Sequence, residues 1–434
     1  MVGDTEIGRR TMSKVGLRLI PFMIAAFVIN FLDRVNIGFA ALDMTHDLGL
    51  SHRQFGLAAG IFFAGYALLE IPSNIGLQKF GARVWLARIM ITWGICAMAN
   101  AFVVGPISLY SMRSLLGLAE AGFYPGLMLY LFRWFPDEYR GTAVTVFMIG
   151  NPLAVIIGGP CSTAILGMKG LLGLAGWQWL FVLEGIPAVL LGVIAYLWLT
   201  ESPAEATWLS AEERDWLRGR LAEEMARHHR PELGRMTDAF RSGAAWMLGF
   251  IKFSVLVGFF GLTLWLPQIL KGMTRASTLE IGFLSAIPSL FATIASIIIG
   301  RHSDRTGERR LHIVIPLLIG AAAFGAAAVI RNPVLAIVAI TIANTGLWVG
   351  NTVFWTLPAS LLAGTQAAAT GIALVNSIGN LGGFFGPYLT GWARSISHGF
   401  APAMLGYGAF LIIAAVLVMI LGVSNHSRPG TPRK

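Results

Sequence analysis

Apolar runs of about membrane length recur along nearly the whole 434-residue chain, separated by short polar clusters. A spanning helix needs roughly 20 apolar residues. Twelve such runs lie at approximately 17–41, 54–77, 84–104, 107–130, 141–166, 178–199, 244–270, 280–300, 311–330, 333–361, 367–393 and 401–423. Two pairs of runs almost touch, at Pro106 and at Pro333. Polar stretches of any length are confined to the first residues, to 200–242 and to the tail after Ser424. None of these could build a soluble catalytic domain. The pattern therefore predicts an all-α integral membrane protein of twelve transmembrane helices. Within 200–242, Ser210 followed by Glu213 has the spacing of a capping box and predicts a solvated surface helix over 210–230.

Composition agrees with that pattern. Hydrophobic residues make up 56% and charged residues 12% of the chain, and the mean hydropathy is +0.69. A soluble domain carries roughly a quarter charged residues. The net charge of +10 does not imply nucleic acid, because the basic residues cluster at the ends of apolar runs. With twelve spans both termini share a side. That side holds 22 of the 32 Lys and Arg residues, the opposite side 6, and 4 lie within spans. The bias places both termini in the cytoplasm. Arg9, Arg10, Lys14 and Arg18 lead into a run too long for a cleavable signal. Cys96 and Cys161 both fall in apolar runs and are expected to be buried thiols rather than a disulfide or metal pair.

The chain also repeats itself. Gly300 to Arg310 follows the eighth run, and Asn74 to Arg83 follows the second. Matching Gly300 to Asn74 gives an offset of 226, and matching Gly386-Pro387 to Gly159-Pro160 gives 227. Two six-helix halves are implied, 1–199 and 243–434, joined by a cytoplasmic linker at 200–242. That layout places a binding site between the halves.

The run at 300–310 matches every fixed position of the signature Gly-x-x-x-Asp-Arg-x-Gly-x-Arg-Arg through Gly300, Asp304, Arg305, Gly307, Arg309 and Arg310. It resembles the major facilitator superfamily, in which this turn acts as a gate. The first copy is degenerate, with Gln78 in place of the aspartate and Asn74 in place of the first glycine. A narrower resemblance covers nearly the whole chain. It rests on Asn30-Phe-Leu-Asp33-Arg34-Val-Asn36, on Tyr66 to Asn74, on Arg113 to Gly126, on Trp134-Phe-Pro136, on Gly176 to Gly185 and on Trp265-Leu-Pro267. Together these resemble the anion:cation symporter family, and within it bacterial permeases for tartrate-like hydroxydicarboxylates and aromatic acids such as hydroxyphenylacetate or phthalate. The resemblance implies proton-coupled uptake of an organic anion across a bacterial inner membrane, by a monomer without a cofactor. Relatives that carry sugar acids often have tyrosine where this chain has Phe31, so an aldonate or aldarate symporter is the alternative.

Charge inside a membrane is costly and faces a cavity or a partner. Candidates are Asp33, Arg34, Glu70, Arg88, Arg113, Glu120, Glu184 and Lys252. Arg113 and Glu120 are seven residues apart, two turns, and so face one direction. A guanidinium matches a carboxylate through two parallel hydrogen bonds, which makes Arg34 and Arg113 the expected substrate contacts. An internal salt-bridge cluster is the competing reading. The two readings meet in one scheme, since a substrate that takes the arginine leaves a carboxylate readier to bind a proton. Seven of the eight histidines lie outside the spans and His312 sits at the very start of one, so Asp33 and Glu120 are the expected proton carriers. Glu70, Glu184 and Arg88 are read as structural, and Lys252 as snorkelling to the interface. The family resemblance adds Tyr66, Asn151 and Asn376 as substrate contacts, against interhelical hydrogen bonding as the plain alternative. Trp355 could form an aromatic wall or pack in the core.

Other classes fit less well. A membrane enzyme would need a cluster of His, Cys or metal ligands, and neither HExxH nor a Walker loop occurs. A channel would need rings of like charge. A drug-efflux antiporter, whose substrates are often cations, has less use for paired arginines.

Overall fold

Helices account for most of residues 2–227, 240–361 and 368–421, which are the residues that this computed structural model describes. Local chemistry sets several helix starts. Span 2 (His52–Phe80) begins at Ser51, whose Oγ accepts from the Gln54 N–H at 3.3 Å while Gln54 Oε1 accepts from the Ser51 N–H at 2.9 Å. These reciprocal bonds satisfy donors that a helix start leaves open. Pro106 and Pro333 occupy the first turns of span 4 (Pro106–Trp134) and span 10 (Pro333–Pro358), where a missing N–H costs nothing. The near-contacts between runs are thus helix boundaries. Span 1 is much longer than its apolar run, a single helix over Val2–Asp47.

Eleven helices among the described residues are long and apolar enough to cross a membrane. They include span 1 (Glu6–Asp47), span 3 (Ala82–Phe102), span 6 (Gly176–Trp198), span 7 (Gly243–Met273), span 8 (Thr278–Thr306), span 9 (Leu311–Val329) and span 12 (Ala401–Ile420). The twelfth crossing is the helix Ala368–Ser397, here span 11, whose Asn376, Asn380 and many glycines dilute its apolar character. The fold is that of a twelve-helix membrane protein built from two pseudo-symmetric six-helix bundles.

Three spans are interrupted. Span 4 (Pro106–Trp134) breaks after Glu120, where Gly122 takes φ +84° and a new helix starts at Phe123. A side chain there would be strained and would meet Ser73 Oγ at 2.4 Å. Span 5 (Asp137–Leu166) breaks at Met148–Ile149, four residues before Pro152. Proline cannot donate to the Met148 carbonyl, and the Asn151 N–H takes that acceptor at 3.2 Å. Span 10 (Pro333–Pro358) breaks at Trp355, just ahead of Pro358.

By contact, the chain divides into two compact units. One takes in Met1–Pro231, Thr263–Ile287 and Pro387–Ile396, and the other Glu232–Leu262, Pro288–Gly386 and Ser397–Lys434. In the first unit the linker helix (Ala211–Arg227) starts with the expected box: Glu213 Oε2 accepts from the Ser210 N–H and Ser210 Oγ from the Glu213 N–H. That helix is less solvated than its composition implies. Glu213 is fully buried and binds Lys14 and Arg10 of span 1, at 2.7 and 3.0 Å. Arg140 reaches Glu224 at 2.8 Å and Arg220 reaches Glu138 at 3.1 Å. Both cysteines are free thiols, but neither is fully buried as expected: Cys96 is half-buried and Cys161 is exposed.

Candidate functional site

In the first unit, spans 1, 2 and 4 bring five of the expected residues into one buried cluster. Arg34 Nε donates to Glu120 Oε1 at 2.5 Å. The guanidinium of Arg34 also lies over the Tyr66 ring, 4.7 Å from its centroid, and 5.6 Å from that of Phe62. The guanidinium of Arg113 lies 5.1 Å from the Phe62 centroid. Two guanidinium groups thus share one aromatic ring. Asp33 is buried beside them, and its Oδ1 accepts from Asn36 Nδ2 at 3.1 Å. Asp33, Glu120 and Arg113 lie within electrostatic reach of one another.

Arg113 differs sharply from Arg34. It is fully buried, yet Nε, Nη1 and Nη2 all lack a hydrogen-bond partner. A buried guanidinium that is not hydrogen-bonded is costly. Oδ2 of Asp33 and Oε2 of Glu120 are likewise buried without a partner. With Nη2 of Arg34 also unpartnered, the arginines and carboxylates of the cluster hold four donor nitrogens and two acceptor oxygens in reserve, enough to receive a carboxylate and a proton.

The break in span 4 explains part of this arrangement. Glu120 is the last residue of its helix segment, so the chain turns away at Ala121–Gly122 directly after the carboxylate. Irregular backbone at membrane depth is tolerated where it is buried in protein or lines a cavity. Asn151 sits at the corresponding interruption of span 5, half-buried, with its Oδ1 unpartnered.

Two further charged residues of the spans are buried, one as expected and one not. Glu184 of span 6 is buried and accepts from Ser162 Oγ of span 5 at 2.7 Å, which fits the expected structural role. Lys252 does not snorkel. It is buried, and its Nζ donates to Asn351 Oδ1 of span 10 at 2.5 Å in the second unit. Its ammonium lies 4.6 Å from the Trp355 ring centroid and 5.4 Å from that of Phe354. Span 7 approaches span 11 so closely at Gly379 that the lysine stem occupies the space a side chain would need, which keeps the amine inside. Trp355 is 39% exposed and so is not core packing. Asn376 is half-buried, one turn before Gly379.

At the repeat loop, Asp304 pairs with Arg309 at 2.5 Å, and Arg309 also donates to Ser303 Oγ at 3.1 Å. Arg310 binds the Met419 carbonyl of span 12. Gly307 takes φ +70°, the turn the motif requires, whereas Gly300 faces open space. Arg305 makes an exposed surface. In the degenerate copy, the carboxylate that Gln78 lacks comes from elsewhere in the chain. Glu201 accepts from the Ala82 and Arg83 N–H groups at 2.7 and 2.9 Å and pairs with Arg133 at 3.0 Å. Glu201, Asn36, Phe62 and Asn351 were missed from the sequence. Asn36 and Phe62 had a signal, one turn from Asp33 and Tyr66; Glu201 and Asn351 had none.

The sequence profile of the Major Facilitator Superfamily matches residues 23–387. A candidate tartrate transporter of Agrobacterium vitis is 44% identical over 428 residues, 98% of this chain and 94% of its own length. A quinolone resistance transporter of Acinetobacter baumannii is 39% identical, covering 94% of each chain. Among solved structures, a bacterial homologue of the human lysosomal transporter Spinster superposes with a TM-score of 0.80 at 19% identity, covering 96% of this chain and 99% of that one.

Proposed function

The chain belongs to the Major Facilitator Superfamily and is a membrane transporter; from that premise we propose that it takes up small organic carboxylates together with protons by alternating access. The observation that carries this reading is Arg113, fully buried with three nitrogens unpartnered. Its planar fork is suited to a carboxylate. Tyr66, Asn151, Asn376 and Trp355 supply the remaining contacts to a tartrate-like dicarboxylate or an aromatic acid. A sugar acid would use the same cations.

Coupling follows from the Arg34–Glu120 pair. A substrate carboxylate that draws Arg34 away leaves Glu120 without its counter-ion, free to take a proton. Asp33, with one oxygen unpartnered, is the second carrier. The internal repeat supports halves at 1–199 and 243–434 with a linker at 200–242. The Lys and Arg bias supports an inner-membrane protein with both termini cytoplasmic.

The quinolone resistance relative supports a second reading, efflux of a drug. A thermal-shift screen of the purified protein separates the two. The panel holds tartrate, malonate, phthalate, hydroxyphenylacetate, galactonate, glucarate and a quinolone, each at about pH 5.5 and 7.5. A bound ligand raises the unfolding midpoint by mass action, and a pH-dependent shift reports linked protons. Stabilisation by an organic acid, abolished in Arg113→Lys, is expected. Stabilisation by the quinolone alone would transfer the reading to efflux.

A further inference from the structure

Within the first unit, the start of span 1 meets the end of span 6 at an open groove of about 410 Å³, lined by Phe22, Ile194, Leu197 and Trp198. Phe22 and Trp198 bring their ring centroids to 6.1 Å. Ile194 is 44% exposed and Leu197 75%, so no described part of the chain covers the groove.

Arg18 stands one turn before Phe22 on span 1, about 6 Å along the axis. Its guanidinium lies 4.4 Å from the Trp198 ring centroid and 4.9 Å from that of Trp208. Trp208 is itself held in place. It stacks on Trp134 at 5.5 Å, and its Nε1 donates to Thr200 Oγ1 at 3.1 Å. Aromatic rings attract the charge but offer no oxygen to its five N–H donors. Among the described residues Arg18 has neither an ion pair nor a hydrogen bond. Carboxylates at this end of the unit are engaged elsewhere, Glu213 with Lys14 and Arg10 and Glu201 with Arg133. Arg18 is thus a fixed, half-buried cation with its donors open.

Depth separates the cation from the groove. Arg18 opens the first apolar run and Trp198 closes the sixth. That is headgroup level, where tryptophan and the heads of long basic side chains concentrate. Phe22 and Ile194 each lie one turn further in, at acyl-chain level. A soluble anion would use the cation and not the groove, and an uncharged lipid the groove and not the cation. An anionic phospholipid uses both. Basic pockets between membrane helices hold such headgroups, and a guanidinium grips a phosphate through two parallel hydrogen bonds. We propose that an anionic phospholipid binds here, with one acyl chain in the groove between spans 1 and 6 and its phosphate on Arg18.

The test is native mass spectrometry of the purified protein in detergent, titrated with dimyristoyl phosphatidylglycerol or with phosphatidylcholine of the same tails. The wild-type protein should hold phosphatidylglycerol about tenfold more tightly, the scale of one charge-assisted hydrogen bond. Arg18→Gln should remove that preference and leave the phosphatidylcholine titration unchanged. Ile194→Trp, a surface change that fills the groove and leaves Arg18 in place, should weaken both lipids. Equal affinity of the wild-type protein for the two lipids overturns the proposal, as does a preference that survives Arg18→Gln. A thermal shift with millimolar inorganic phosphate, lost in Arg18→Gln and unaffected by Ile194→Trp, would make Arg18 a soluble-anion site and overturn the lipid assignment.

Discussion

Glu120 answers to two partners. Its Oε1 holds Arg34 at 2.5 Å and its Oε2 is buried with no partner. The first makes it a counter-ion, and the second makes it a place for a proton. Glu120→Gln keeps the shape and one acceptor but can no longer gain or lose a proton. Reconstituted in liposomes, the variant should lose accumulation driven by an imposed pH gradient and keep counterflow exchange. Accumulation at the wild-type rate would remove Glu120 from the coupling path. The spacing of Arg113 and Glu120 was legible in the sequence, because seven residues on a helix fix a common face. Which arginine Glu120 holds was not, since Arg34 comes from another helix, 86 residues away. Lys252 shows the same limit. A lysine a few residues inside a span reads as snorkelling, and only the close approach of Gly379 reveals that its stem is trapped.

Helix ends and helix breaks divide in the same way between local and distant causes. The capping boxes at Ser51 and Ser210 and the prolines at 106 and 333 act within one turn, and the sequence shows them directly. The break after Glu120 was hidden inside an uninterrupted apolar run, marked only by a glycine among many. The linker helix carries a distant cause that its capping box conceals. Burial pushes the Glu213 carboxyl up, but hydrogen bonds from Lys14 and the Ser210 N–H, with the charge of Arg10, outweigh this and hold it below the usual glutamate range. A depressed carboxyl contributes stability that is complete above its unfolded value, about 4.3, and is lost as pH falls through the lower folded value. Glu213→Gln should therefore lower the unfolding midpoint near neutral pH, by the equivalent of about 1 kcal/mol. The figure is modest because Lys14 and Arg10 are half exposed and screened by solvent. The gap between variant and wild type should close below about pH 4; a gap independent of pH would mean that packing, not charge, holds the helix.

At the scale of the molecule, the two copies of the repeat loop have diverged in how they find a carboxylate. The second copy uses its own Asp304, locked to Arg309, and the first borrows Glu201 from the end of span 6. Since Asp304 pairs with Arg309 and, among the described residues, with none of the buried clusters, Asp304→Asn should slow turnover while ligand affinity stays near the wild-type value, read as uptake rate against thermal-shift titration. A selective loss of affinity would contradict a gating role. The twelve spans, the repeat, the capped linker and the family were determined by the sequence alone. Each is written in one dimension, as run length, cap spacing or motif, and a membrane helix declares its length through hydropathy. What only the tertiary structure decided is the pairing of charges: Arg34 engaged and Arg113 open, Lys252 enclosed, Glu213 buried. Spanning helices here are apolar nearly all round, so hydropathy leaves their rotation and neighbours unspecified. The partners of a buried charge follow from that rotation, and it is fixed only when the helices pack.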